Sequence, residues 1–202
     1  HLWLMDHAKS DEEREKHLGD VLACAGDSEA KRVAAATAGL TLAEKEGREF
    51  EARAGLSRVL RAGLPAEKAK QVKEALARLN KSLVWSKRIT ADSVEYTVEA
   101  GNTLNGIAQA HKTTVGLIKR VNRLESDRIR QGDTFKLLSC DGCELIVRKS
   151  DLTLQLWRKG LFVKEYLVCI GEPTESPTPE GEFTVGARII DPPFREIPMG
   201  AD

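Results

Sequence analysis

Apolar residues recur at helical spacing from residue 8 to about 83 and give way to strand-like alternation near the end of the chain. A charged start, Asp11 to Lys16, leads into His17, Leu18, Val21 and Leu22. Gly26, Asp27 and Ser28 break that run, and Ser28 is placed to cap the next one. The segment from Ala30 to about Leu42 is rich in alanine, whose small side chains let helices approach closely. Leu40, Leu42, Phe50, Leu56, Val59 and Leu60 supply larger apolar surface. Gly63-Leu64-Pro65 is a second break, and Pro65 can begin a helix because its missing N–H would be unbonded there anyway. Ala69, Val72, Leu76 and Leu79 then mark one face of a helix over residues 66–83. The pattern predicts about four helices joined by short turns, as helical hairpins. No clear internal period or repeat signature runs through these pairs.

Residues 84–93 lose the helical period and read as a partly polar hinge. Beyond it, Tyr96-Thr97-Val98 alternates and ends in Glu99-Ala100-Gly101-Asn102-Thr103. Gly101 and Asn102 suit a tight turn, and Thr103 suits a helix cap. Leu104, Ile107 and Ala108 begin one short helix; Val115, Leu117, Ile118 and Val121 form a second, closed by Asn122. Residues 134–138 read as a strand, so the order is strand, helix, helix, strand. After Leu138, Leu145 and Val147, then Leu152, Leu154 and Leu156, alternate with polar residues and predict half-buried strands. Turns fall at residues 149–151 and 158–160, a third strand runs from Leu161 to Gly171, and residues 178–185 enter a fourth. The expected fold is α+β and multidomain: α-helical hairpins over residues 1–90, a βααβ unit over 94–139 and an antiparallel β-rich domain over 143–202.

Composition narrows the function. The 202 residues carry 31 basic and 31 acidic side chains, so there is no net charge to draw the chain to nucleic acid or an anionic membrane. No run is long and apolar enough to cross a bilayer. The chain opens on His1 rather than Met, and the expectation is a start inside a larger gene product, with any targeting segment upstream. Cys140-Asp141-Gly142-Cys143 lacks the strand-to-helix setting of a thioredoxin-like motif and has no second ligand pair for zinc. A local disulfide or two plain thiols in a turn fits it better; Cys24 and Cys169 read as small core residues. His1, His7, His17 and His111 have no metal-ligand spacing, so no metal and no cofactor is expected.

Four motifs stand in order: Tyr96-x-Val98-x-x-Gly101, Thr103-Leu104-x-x-Ile107-Ala108, Leu117-x-x-x-x-Asn122-x-Leu124 and Ile129-x-x-Gly132-x-x-Phe135. Together they resemble a lysin motif (LysM). Asn102 stands where the family most often has Asp, and His111 where an aromatic residue is usual. The resemblance implies binding of N-acetylglucosamine-containing glycan, peptidoglycan or chitin, in a shallow groove between two loops. Carried over, the groove residues are Gly101, Asn102, Thr103 and Leu104, with Asn122, Arg123 and Leu124 opposite. Turn chemistry and core packing explain the same residues without a ligand, so both readings stand.

A second resemblance lies downstream. Leu152 to Trp157, then Val168-Cys169-Ile170-Gly171, then Thr178-Pro179-Glu180-Gly181-Glu182-Phe183 looks like the start of an L,D-transpeptidase catalytic domain. That family cross-links peptidoglycan stem peptides through a cysteine acyl-enzyme, with His as base. Its Ser/Thr-His-Gly-Cys nucleophile run is not in this chain, which ends at Asp202, so no catalytic residue is assigned and the chain is expected to be inactive. The parent is then a transpeptidase held on its substrate by the LysM unit, in the bacterial periplasm or cell wall. The alternative is a non-catalytic wall-binding or scaffolding module, with a protein partner for the helical region.

Overall fold

The computed structural model describes residues 28–43, 47–172 and 174–186 of the 202. The expected helix over residues 11–22, along with Cys24 and the segment after residue 186, lies outside them. The chain divides into two compact units, His1–Val168 and Cys169–Asp202.

Among the described residues of the first unit, three helices precede the strands: α1 (Glu29–Ala43), α2 (Glu49–Ala62) and α3 (Ala66–Leu83). Ser28 caps α1, its hydroxyl accepting from the Lys31 N–H at 3.3 Å. Gly63 stops α2 with φ +94°, a conformation only glycine adopts cheaply, and Pro65 opens α3. Ala35, Ala36 and Ala38 of α1 are buried, so the small side chains do bring the helices close. The α3 face predicted from spacing is the observed one: Val72, Leu76 and Leu79 are buried, with Ala75 and Leu83.

Next come β1 (Val94–Thr97), α4 (Leu104–Ala110), α5 (Val115–Asn122) and β2 (Thr134–Leu137). β1 and β2 pair antiparallel with Tyr96 opposite Phe135. Their own core holds Val98, Leu104, Ile107, Ala108, Ile118, Phe135 and Leu137.

A three-stranded antiparallel meander follows: β3 (Cys143–Arg148), β4 (Thr153–Arg158) and β5 (Leu161–Leu167). The hairpin turns fall where the sequence places them, and Leu154 and Leu156 are half-buried, but the more deeply buried face of β4 is the opposite one. Leu145, Val147 and Leu152 are exposed, and Leu152 is a turn residue with φ +51°. Buried instead are Thr153, Gln155 and Trp157, turned toward the helices. Alternation defines two faces but not which one a neighbouring layer covers. Here Trp157 decides it: it is 1% exposed, edge-on to Phe162, and joined to the core formed by α1, α2 and α3. Gln155 is tolerated inside because its Oε1 accepts from Trp157 Nε1 at 3.2 Å and its Nε2 donates to Glu165 at 2.7 Å.

Helices and meander also share hydrogen bonds. A bulge between β4 and β5 leaves Val163 as an extra residue. The Asn80 amide of α3 donates to the freed carbonyls of Phe162 and Val163, both at 2.9 Å, and Ser57 of α2 accepts from the Phe162 N–H at 3.0 Å. The bulge lets two successive side chains be buried. Phe162 enters the helical core, while Val163 packs with Val84, Val121 and Leu138 against the βααβ unit.

The hinge is more than a spacer. Asp92 is held by Arg53 of α2 at 3.1 Å and by Arg158 of β4 at 2.7 Å, all three side chains being less than a tenth exposed. Lys136 of β2, also buried, donates to the Leu83 carbonyl. Burial opposes the charge on Asp92, but the Thr90 hydroxyl and the two guanidiniums outweigh it and hold its carboxyl below the usual range. Burial, with repulsion from the arginines, pulls Lys136 down to about 8. One carboxylate thus joins the helices, the hinge and the meander beside the βααβ unit.

In the second unit, the third strand stops before it is reached, since β5 ends at Leu167, and residues 178–185 form no strand. Cys169 is exposed rather than core. Gly171 N–H donates to Thr178 Oγ1 at 2.7 Å in a tight loop. The Ser176 carbonyl oxygen would lie 1.9 Å from a Cβ at position 171, so glycine is required there by close approach.

Candidate functional site

Two threonine caps and one buried asparagine shape the βααβ unit. Thr103 Oγ1 accepts from Gly106 N–H and starts α4; Thr114 Oγ1 accepts from Leu117 N–H and starts α5, each at 3.1 Å. Asn102 is half-buried, and its Oδ1 accepts from Tyr96 OH at 2.6 Å and from Glu99 N–H at 2.9 Å. An asparagine therefore holds this loop without needing the carboxylate charge. His111 meets Tyr96 edge-on with centroids 5.0 Å apart, so its ring fills the aromatic position.

Asn122 is 1% exposed. Its Nδ2 donates to the carbonyls of Ile118 and Lys136, and its Oδ1 accepts from Lys136 N–H. Two of these bonds join α5 to β2, and the third closes on the preceding turn of α5 itself. Arg123 follows in the left-handed region (φ 55°, ψ 46°) and ends α5, with Leu124 N–H donating back to the Lys119 carbonyl at 2.9 Å. Leu124 packs partly buried on the unit's core.

An open groove of about 620 Å³ crosses this unit. One wall is Asn102, Thr103, Leu104 and Asn105; the other is Asp127, Arg128, Ile129 and Arg130, with Val115 at its end. Of the residues expected from sequence, Asn102, Thr103 and Leu104 line it. Gly101 sits at the exposed turn with φ +83°, and Asn122, Arg123 and Leu124 are not among the lining residues. Sequence reasoning did not single out Asn105 or the 127–130 loop as binding residues. The available signal was Ile129, whose side chain packs on the core and fixes the loop that its polar neighbours share.

Cys140 and Cys143 are exposed and joined through a turn, Cys143 N–H to Cys140 carbonyl at 3.2 Å. Although the residue is exposed, partial desolvation of its sulfur and then the adjacent Cys140 push the Cys143 thiol up, away from the thiolate a nucleophile needs. Among the described residues, no cluster of His, Cys, Asp and Glu could hold a metal, and no helix is long and apolar enough to cross a membrane.

A two-stranded antiparallel ribbon carries two capped helices and an open, polar-edged groove. The family model of the LysM domain matches residues 96–137, and this stretch of the chain is a LysM domain. No curated protein and no solved structure gave a significant match to the chain. A LysM domain implies binding of peptidoglycan-type glycan, and such domains typically act outside the cell on the wall.

Proposed function

We propose that this chain anchors a cell-wall enzyme, an L,D-transpeptidase, to peptidoglycan through the LysM groove. The carrying observation is the groove itself: small polar groups on one wall, a core-anchored loop on the other, and Leu104, Val115 and Ile129 as apolar members of its lining. Such a surface suits a sugar, whose hydroxyl and N-acetyl groups seek polar partners while its ring face covers apolar area. The proposed contact set is Asn102, Thr103, Leu104 and Asn105 facing residues 127–130, with Gly101, Arg123 and Leu124 at its margins and Asn122 as internal support. The transpeptidase part rests on the sequence resemblance that begins at Leu152, and it places the protein in the bacterial periplasm or wall. Residues 1–90, 94–139 and 143–202 remain the proposed domains.

The sharing of one core by Trp157, Phe162 and the helices favours a second reading, in which the meander completes a helical docking module and the protein is a non-catalytic wall binder. Intact-mass spectrometry after meropenem treatment should find no acyl adduct on this chain under either reading, because the nucleophile run is missing from it. The experiment that tests binding is co-sedimentation with purified peptidoglycan sacculi. The chain should pellet with sacculi and be released by soluble N-acetylglucosamine oligomers. A chain that stays wholly in the supernatant would overturn the reading.

A further inference from the structure

One wall of the groove carries a charge that neutral sugar does not use. Three ionisable residues line it: Asp127, Arg128 and Arg130. The Asp127 carboxylate is taken by Lys119 Nζ, so it does not offset the arginines. The loop is fixed through its backbone: Arg130 N–H donates to Asp133 Oδ2 at 2.8 Å, and Ile129 packs on the core between the two arginines. Asp133 thus holds the peptide N–H and, among the described residues, forms no ion pair with either guanidinium. Arg128 and Arg130 are exposed, and among the described residues neither guanidinium has a hydrogen bond or an ion pair. The facing wall, from Asn102 to Asn105, has no charged side chain. In a chain of zero formal net charge, two unspent guanidiniums on one wall of one groove are a local feature with a direction.

We infer that Arg128 and Arg130 receive a carboxylate carried by the glycan, so that the groove prefers an acidic wall glycan to a neutral N-acetylglucosamine polymer. This rests on the glycan-binding reading of the same groove. A guanidinium pairs with a carboxylate through two parallel N–H donors, which fixes geometry as well as charge. The alternating sugar of peptidoglycan bears such a group on its lactyl ether wherever the stem peptide has been removed, next to the N-acetyl group proposed to occupy the groove. A stem peptide offers the same chemistry from further away. Because the arginines are exposed, each pair adds little, and together they should give a preference of about three- to tenfold at low ionic strength. Salt should erode it.

The test uses the full chain and three soluble probes: an N-acetylglucosamine oligomer, peptide-stripped peptidoglycan strands with free lactyl carboxylates, and those strands after carboxyl amidation. Strands with intact stems form a fourth arm. The inference expects tighter binding to the stripped strands than to the oligomer, with the difference lost on amidation. The double variant R128Q/R130Q should lose that preference, read as the ratio of its affinities for stripped strands and for the oligomer, so that any change in oligomer affinity itself does not enter. Preference for intact stems alone, with none for stripped strands, would reject the lactyl carboxylate as the source and leave the stem carboxylate as the one read. An undiminished preference in R128Q/R130Q, or equal binding of all probes by the unaltered chain, overturns the inference while leaving the glycan reading in place. Failure of every probe to bind overturns both.

Discussion

Asp92→Asn is expected to destabilise the chain by about 3–5 kcal/mol, read as a fall in the urea midpoint. The substitution removes the one carboxylate that, among the described residues, pairs with Arg53 and Arg158, both almost fully buried. Arg53 already has two nitrogens, Nε and Nη2, without a partner among the described residues, so it has nothing to fall back on. Breaking a buried pair costs far more than the pair is worth against an apolar replacement, because a charge is stranded. The exposed pairs give the contrast. Arg61 and Glu144 meet at 2.7 Å but are each about half exposed, and losing that pair should cost no more than about 1 kcal/mol. The pH profile carries the same signature at both ends. Asp92 has a folded pKa below its ordinary 3.8, so its contribution is complete above that value and is lost as pH falls through the lower one. Lys136 is depressed from 10.5 to about 8, so the folded state binds fewer protons between those values and stability rises with pH across that window. Asp92→Asn should remove the acid limb. A variant with an unchanged urea midpoint would show that the cluster does not hold the parts together.

Trp157→Ala is expected to cost about 3–5 kcal/mol as well, for a different reason. Trp157 fills the space between the meander and α2, edge-on to Phe162. The Arg61 guanidinium lies 5.4 Å from its ring centroid, closing the solvent side. Helix and sheet signals should then melt together at a lower denaturant concentration. A loss under about 1 kcal/mol would mean that the meander does not share the helical core.

These two residues also show where reading the sequence stopped. The helical face of Val72, Leu76 and Leu79 and the caps at Ser28, Thr103 and Thr114 were legible, because spacing and capping act within a few residues. The face of β4 was not. Leu154 and Leu156 look like the buried set, yet Trp157 and the hydrogen-bonded Gln155 face the helices. The choice depends on a layer contributed from about a hundred residues earlier in the chain, where no periodicity reaches. Asp92 gave no signal for the same reason: its partners come from positions 53 and 158, and in isolation it is one acid in a polar hinge. The apolar run from Tyr166 to Ile170 suggests a strand with Cys169 in its core, and the turn at Pro179 and Gly181 suggests another after it; yet β5 ends at Leu167, Cys169 is exposed and residues 178–185 form no strand.

The candidate site divides in a similar way. Asn102, Thr103 and Leu104 are in the groove lining, and the motif that marks them is contiguous. Arg128 and Arg130 sit beside a motif residue, Ile129, but their facing of Asn105 across a groove exists only after α4 and α5 pack. Asn122 shows the converse. It stands in the motif for a structural reason, since its amide joins α5 to β2.

Titration of the isotopically labelled chain with an N-acetylglucosamine oligomer, followed by backbone amide shifts, tests the central claim most directly. The account predicts saturable shifts concentrated at residues 102–105 and 127–130, with little change in the meander or the helices. Binding that shifts other surfaces and leaves those two loops unmoved would contradict it.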